Sequence, residues 1–183
     1  AAMTGLGQLA GAQEVPEMVR GVLKASRGSE RQAAERSLLL VCNRAKTENA
    51  KAEPLLDAVN ALSDADRQAI LPTLGRTGGE GALRMIESAI ADQDPALHDL
   101  GVRSLCNWPS AAIAPRLKEL ATSEEHDAHR ALALRTLLRV APLPDGRTDE
   151  EKLALLQQAA AMCTRDEDRQ FALERAAAIR TLE

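Results

Sequence analysis

The chain has 183 residues and is 45% apolar, yet it holds one Phe, one Trp and no Tyr, while Ala (34) and Leu (27) supply a third of it against 7 Val and 5 Ile. That mixture favours helix and argues against an all-β sandwich or a doubly wound α/β enzyme, whose pleated surfaces are filled by β-branched and aromatic side chains. A net charge of −4 without a long run of either sign, and two aromatic rings in all, argue against the basic face and stacking platforms of a nucleic-acid binder.

No stretch approaches the ~18 uninterrupted apolar residues of a membrane helix. The start Ala1-Ala2-Met3-Thr4 lacks the charged and apolar regions of a signal peptide. Residues 1–14 read as a flexible leader or tag scar, and 15–183 as one domain. Gly5-Leu6-Gly7-Gln8-Leu9-Ala10 has the outline of a dinucleotide fingerprint, but four residues are too few to build the strand that such a turn follows, so it belongs to the leader. A helix at about 16–26 comes next and could cap the helices after it.

From there a unit repeats. Glu30-Arg31-Gln32-Ala33-Ala34, Asp66-Arg67-Gln68-Ala69-Ile70 and Asp168-Arg169-Gln170-Phe171-Ala172 are copies of one helix start, and Leu100, Val102, Arg103 and Leu105 match Leu132, Leu134, Arg135 and Leu137 at an offset of 32. Taking Arg31, Arg67, His98, Arg130 and Arg169 as equivalent gives spacings of 36, 31, 32 and 39. These first-type helices open on capping signals: Ser29 to Gln32, Ser63 to Asp66, Thr164 to Glu167, and Asp94 before Pro95. Between them lie second-type helices at about 48–62, 80–91, 111–121 and 149–162. Their buried stripes are Leu55, Leu56, Val59 and Leu62; Leu83, Ile86 and Ile90; Ile113, Leu117 and Leu120; and Leu153, Leu156 and Ala160. Four helix pairs are complete and a fifth stops after Leu182. Pro72, late in a first-type helix, should bend or end it, and Pro115 sits early in a second-type one. Without a fixed 34-residue period, aromatic knobs or a Thr-Pro-Leu-His signature, HEAT-like pairs of variable period fit best. The expected fold is all-α, a right-handed α-solenoid of four to five such pairs plus the N-terminal helix.

The stretch Thr77–Arg180 resembles HEAT repeats of a bacterial kind. The pieces that carry the likeness are Gly78-Gly79-Glu80-Gly81-Ala82-Leu83, Ala91-Asp92-Gln93-Asp94-Pro95, Val102-Arg103-Ser104-Leu105 ending in Asn107-Trp108-Pro109, and His129-Arg130-Ala131-Leu132-Ala133-Leu134-Arg135. Ala34-Glu35-Arg36-Ser37-Leu38 with Val41-Cys42 is similar to the first pair of that family. The resemblance implies a module of a large, commonly exported or periplasmic multidomain protein, often beside a jelly-roll domain acting on keto-disaccharides. It implies no catalytic residue.

Candidate chemistry is sparse. His126 and His129, preceded by Glu124 and Glu125, have a spacing that could converge on a metal, but at a helix start they read as solvent-facing, and no metal or cofactor is assigned. Cys42, Cys106 and Cys163 are odd in number and lie in apolar patterns, so they read as buried hydrophobes. Met18, Met85 and Met162 read as core filler. Trp108 could stack on a sugar, but at a helix corner it reads as a plug. Second-type helices usually line the concave side of HEAT arrays, where Arg84 and Glu87 align with Arg116 and Glu119 at the offset of 32 as a ladder extended by Asp57 and Asn60. The expectation is a non-enzymatic scaffold that binds a protein partner or a neighbouring domain of its own polypeptide through this ladder, with no nucleic acid and no membrane insertion. The alternative is an accessory domain of an exported carbohydrate-acting protein.

Overall fold

Leu and Ala recurring every three to four residues leave helix packing as the way to bury the apolar half of the chain. The computed structural model describes residues 7–180, and among these there are helices and turns but no strand. The α-helices are α1 (Val15–Lys24), α2 (Ser29–Cys42), α3 (Glu48–Asn60), α4 (Asp64–Thr77), α5 (Glu80–Ile90), α6 (Pro95–Leu105), α7 (Ala114–Ser123), α8 (Asp127–Val140), α9 (Asp149–Met162) and α10 (Asp166–Arg180). First-type helices are the even-numbered ones, and α3, α5, α7 and α9 are the expected second-type set. Leu182, Gly5, Leu6 and the rest of residues 1–6 lie outside the described residues.

The chain divides into two compact units, Ala1–Trp108 and Pro109–Glu183. In the first, α1 packs on α2 and α3, α3 on α4 and α5, α2 on α4, and α4 and α5 on α6. In the second, α8 packs on α7, α9 and α10, and α9 on α10. In the first unit, then, a helix meets both its sequence neighbour and the next helix of its own type, and in the second α8 meets α10 in the same way. The core follows the predicted stripes in part: Leu55, Val59, Ile86, Leu117 and Leu156 are buried to 1% exposure or less, whereas Leu56, Leu62, Leu83, Leu153 and Ala160, and Met85 and Met162, expected as core filler, are only half-buried.

The helix starts show which capping signals operate. Ser63 accepts from the Asp66 amide and Asp94 from that of Ala96, as expected. Ser29 does not cap; it is the first helical residue behind Gly28, and Thr164 precedes α10 by one residue too many. Unanticipated caps are Thr47, which accepts from the Ala50 amide, and a full capping box of Thr148 and Glu151. Gly79 has no side chain to cap α5, and Asn49 of α3 supplies the acceptor instead, its Oδ1 taking the Glu80 amide at 2.8 Å. Pro72 does not end α4, which runs on to Thr77 with Ile70, Leu71 and Leu74 buried around it. Residues 7–14, expected as part of a leader, are instead held in place: Arg44 donates to the carbonyls of Gly7, Gln8 and Ala10, and Ala12–Glu14 forms a 3-10 turn.

Of the five positions read as equivalent, Arg67, His98 and Arg130 make the same kind of hydrogen bond, whereas Arg31 donates to Ala69 O of α4 and Arg169 to Asp166. Arg67 donates to Leu62 O at 3.1 Å and Arg130 to Glu124 O at 2.6 Å. His98, whose Nδ1 carries the proton that a carbonyl requires, donates to Ile90 O at 2.6 Å. Each closes the carbonyl end of the preceding second-type helix. Six residues on from Arg31, Arg67, His98 and Arg130, each helix buries a hydroxyl: Ser37, Thr73, Ser104 and Thr136 are all 5% exposed or less. Three of them donate to the carbonyl four residues back, Ser37 to Ala33, Ser104 to Leu100 and Thr136 to Leu132. The small residue at this place lets neighbouring first-type helices approach closely. At Gly75 of α4 a Cβ would stand 2.0 Å from the Ser104 carbonyl oxygen of α6.

Candidate functional site

The grooves of each unit open between helices whose side chains are too short to fill the gap. In the first unit a groove of about 690 Å³ lies between α1 and α3 and reaches the start of α4. Pro16, Leu23, Ala58, Ala61 and Leu62 line it with apolar surface, while Arg20 and Lys24 stand on the α1 side and Asp57 and Asp66 opposite. In the second unit a groove of about 570 Å³ lies between α7 and α9. Ala111, Ala114, Pro115, Ala154 and Leu155 form its apolar part, and Lys118 reaches across to Gln158 at 2.8 Å. At its end Arg147 is held by Asp145 at 2.5 Å and by Ala141 O at 2.9 Å.

The two grooves are built by equivalent helices. Each of α1 and α7 follows a three-residue 3-10 turn, carries proline as its second residue (Pro16, Pro115), and ends on a residue with φ −64° and ψ 138° (Ala25, Glu124). These features recur at an offset of 99 residues. Thr47 and Thr148 cap the opposite helices α3 and α9 in the same way. Thus Pro115, expected only to shape its helix, also lines a groove, and α1 behaves as a second-type helix.

The residues of the predicted ladder fall in both units. Asp57 lines the first groove; Asn60 is exposed nearby on α3 but is not part of its lining. Arg84, 75% exposed, stands 4.0 Å from Glu80. Arg116 and Glu119 form the expected i,i+3 pair at 3.1 Å, with the Arg116 side chain 26% exposed. Arg84 and Glu87 belong to the first unit, Arg116 and Glu119 to the second. The groove residues Arg20, Lys24, Lys118 and Gln158 escaped sequence reasoning. The signal that could have found them is the Pro16–Pro115 match.

Trp108 is buried, at 3% exposure, which removes the open ring face a sugar platform needs. The three cysteines are free and buried; desolvation raises the Cys42 thiol to about 11, which keeps it protonated at neutral pH. The two histidines of the second unit divide. His126 is exposed, but His129 is 7% exposed and not solvent-facing as expected; its Nδ1 lies 3.7 Å from Glu124 Oε1. No helix among the described residues is long and apolar enough to cross a membrane.

No protein-family model matches the chain, and no curated protein and no solved structure matches it either.

Proposed function

We propose that the chain is a non-enzymatic helical-repeat module of the HEAT-like, right-handed type, which binds a protein partner or a neighbouring domain of its own polypeptide along its second-type helices. The observation that carries this reading is that each unit opens a groove between equivalent helices with the same entry turn and proline, toward the C-terminal ends of α1 and α3 in the first unit and along the N-terminal parts of α7 and α9 in the second. Packing that served stability alone would close such gaps with larger side chains. Here short Ala and Pro residues keep both open, at volumes within the roughly 300–1,000 Å³ typical of ligand sites. Both combine an apolar floor with charged rims, the makeup of a helix-in-groove surface. The carbohydrate-linked alternative would want an aromatic platform, and the burial of Trp108 speaks against it.

The test is selection of random peptides displayed on phage against the full chain, followed by binding to variants that fill one groove from an exposed position, Asp57→Trp and Ala154→Trp. Selected peptides should lose at least tenfold in affinity for one of the two variants while helical CD and melting temperature stay as in the parent. Peptides that bind both variants as well as the parent would overturn the assignment of this face.

A further inference from the structure

Where the first unit keeps a leucine, the second buries a charge. Leu97 is the third residue of α6 and Asp168 the third of α10, so the two occupy one place at the starts of two first-type helices. The surroundings match as well. Asp64, Arg67 and Leu71 of α4 line a cavity of about 350 Å³ with Leu97, and Asp127, Arg130 and Leu134 of α8, at the same i, i+3, i+7 spacing, line one of about 300 Å³ with Asp168. In each the aspartate pairs with its arginine, Asp64 with Arg67 at 3.6 Å and Asp127 with Arg130. A place that leucine fills in one unit does not need a carboxylate for packing in the other.

Asp168 is 3% exposed, and among the described residues one cation meets its charge. Arg135 Nε stands 2.9 Å from Oδ1, but its N–H is not aimed at that oxygen, which accepts no hydrogen bond among the described residues. A carboxylate taken out of water is normally hydrogen-bonded, and leaving one of its oxygens without a donor is costly. Arg165 lines the same cavity from an exposed position and forms no ion pair among the described residues. It directly precedes α10, and side chains at that position and at the third helical one can face each other. Here they stay unpaired, with Asp168 turned to Arg135. Ala121, Ala131, Leu134 and Met162 give the cavity an apolar wall.

We infer that this cavity of the second unit binds a free α-amino acid with an apolar side chain, its ammonium donating to the Asp168 carboxylate and its carboxylate accepting from Arg165. A bare amine would be repelled by Arg165 and a bare anion by Asp168, whereas a zwitterion sets each charge against its opposite. The ammonium has three donors, one for the Oδ1 that Arg135 leaves without a hydrogen bond, and the guanidinium is a fork suited to a carboxylate. The apolar side chain lies on Leu134 and Met162. About 300 Å³ stands at the small end of the roughly 300–1,000 Å³ of ligand sites, which suits a molecule of this size. The site is distinct from the grooves between second-type helices and does not depend on the reading given to them.

The experiment is calorimetric titration of the full chain with L-leucine and L-methionine, beside two leucine analogues that each lack one charge: 3-methylbutylamine, without the carboxylate, and N-acetyl-leucine, without the ammonium. At least one of the two amino acids should bind saturably with one equivalent per chain and raise the melting temperature, and both analogues should bind weaker than leucine on the order of tenfold or more, as loss of a charged hydrogen bond implies. Arg165→Gln, at an exposed position where folding is not at stake, and Ala131→Met, which fills the cavity from α8 without removing either charge, should each weaken binding by a similar factor with the CD spectrum unchanged. Asp168→Asn should abolish it, and the other two variants decide the matter even where this one lowers stability. The inference is overturned by no saturable binding of either amino acid, by an analogue that binds as tightly as leucine, or by binding that Arg165→Gln and Ala131→Met leave as in the parent.

Discussion

Replacing Gly75 by Ala tests whether the stack of the first unit depends on close approach of its first-type helices. The added Cβ would lie 2.0 Å from the Ser104 carbonyl oxygen and 2.9 Å from its carbonyl carbon. Ordinary contact begins at 3.4 Å, so α4 and α6 would have to part by about 1.4 Å along this direction. The obstructing atoms are backbone within α6 and cannot rotate away, and Leu74 and Leu105 beside them are fully buried. Forcing a methyl group into such a contact costs roughly 1–3 kcal/mol, and a backbone-to-backbone clash belongs at the upper end. The substitution also gains about 1 kcal/mol of helix propensity. The net expectation is a loss of about 2 kcal/mol, or a melting temperature lowered by about 4–8 °C for a chain of this length. Gly81→Ala is the matched control. Its Cβ would meet only the tip of the Leu56 side chain at 2.4 Å, which can turn aside, so gain and cost nearly cancel and stability should stay within about 0.5 kcal/mol. Thermal and urea denaturation followed by far-UV CD measures both. A Gly75→Ala protein as stable as its parent would refute the claim that this spacing is set by glycine.

Asn49→Ala removes the acceptor that α5 borrows from α3 and should cost about 1 kcal/mol in urea denaturation, as loss of a cap within one helix does. Because burial raises the Cys42 thiol from 9.0 to about 11, its stabilising effect is complete below pH 9 and fades as pH rises through 11, the unfolded thiol ionising first; between pH 8 and 10.5 the parent should lose about 2 kcal/mol more than Cys42→Ala, measured by urea denaturation at each pH. Arg84→Glu should leave helical CD unchanged and stability within about 0.5 kcal/mol, since its pair with Glu80 is long and exposed. Arg116→Glu should cost about 1 kcal/mol by the same measurement, because three-quarters of the Arg116 side chain is covered.

The helix order was legible because first-type helices repeat a task. In three of them a donor at the start closes the previous helix, so Arg67, His98 and Arg130 recur at readable spacings even where the residue type changes. The features that stayed hidden depend on partners far along the chain. The cap of α5 comes from a residue 31 positions away, and Gly75 looks like a weak point in a helix until Ser104 is placed beside it. Pro72 carries the local signal of a helix end, yet buried Ile70, Leu71 and Leu74 hold α4 together on both sides of it.

The candidate sites were less legible because sequence periodicity says which face of a helix is apolar, not which part of its polar face is covered. His129 begins a helix and so reads as exposed, while in the fold it is buried against Glu124. The comparison that separates function from framework is internal. Where the units agree at the offset of 99, as at Pro16 and Pro115 or the buried hydroxyls Ser37 and Thr136, the shared residue does the same structural work twice. Where they differ without disturbing the backbone, the framework does not set the choice. Val19, fully buried in α1, is replaced by Lys118, which spans the groove to Gln158. This substitution turns a surface the fold only tolerates into one with a donor aimed across a groove, so the second unit is where specific recognition by this chain should be sought.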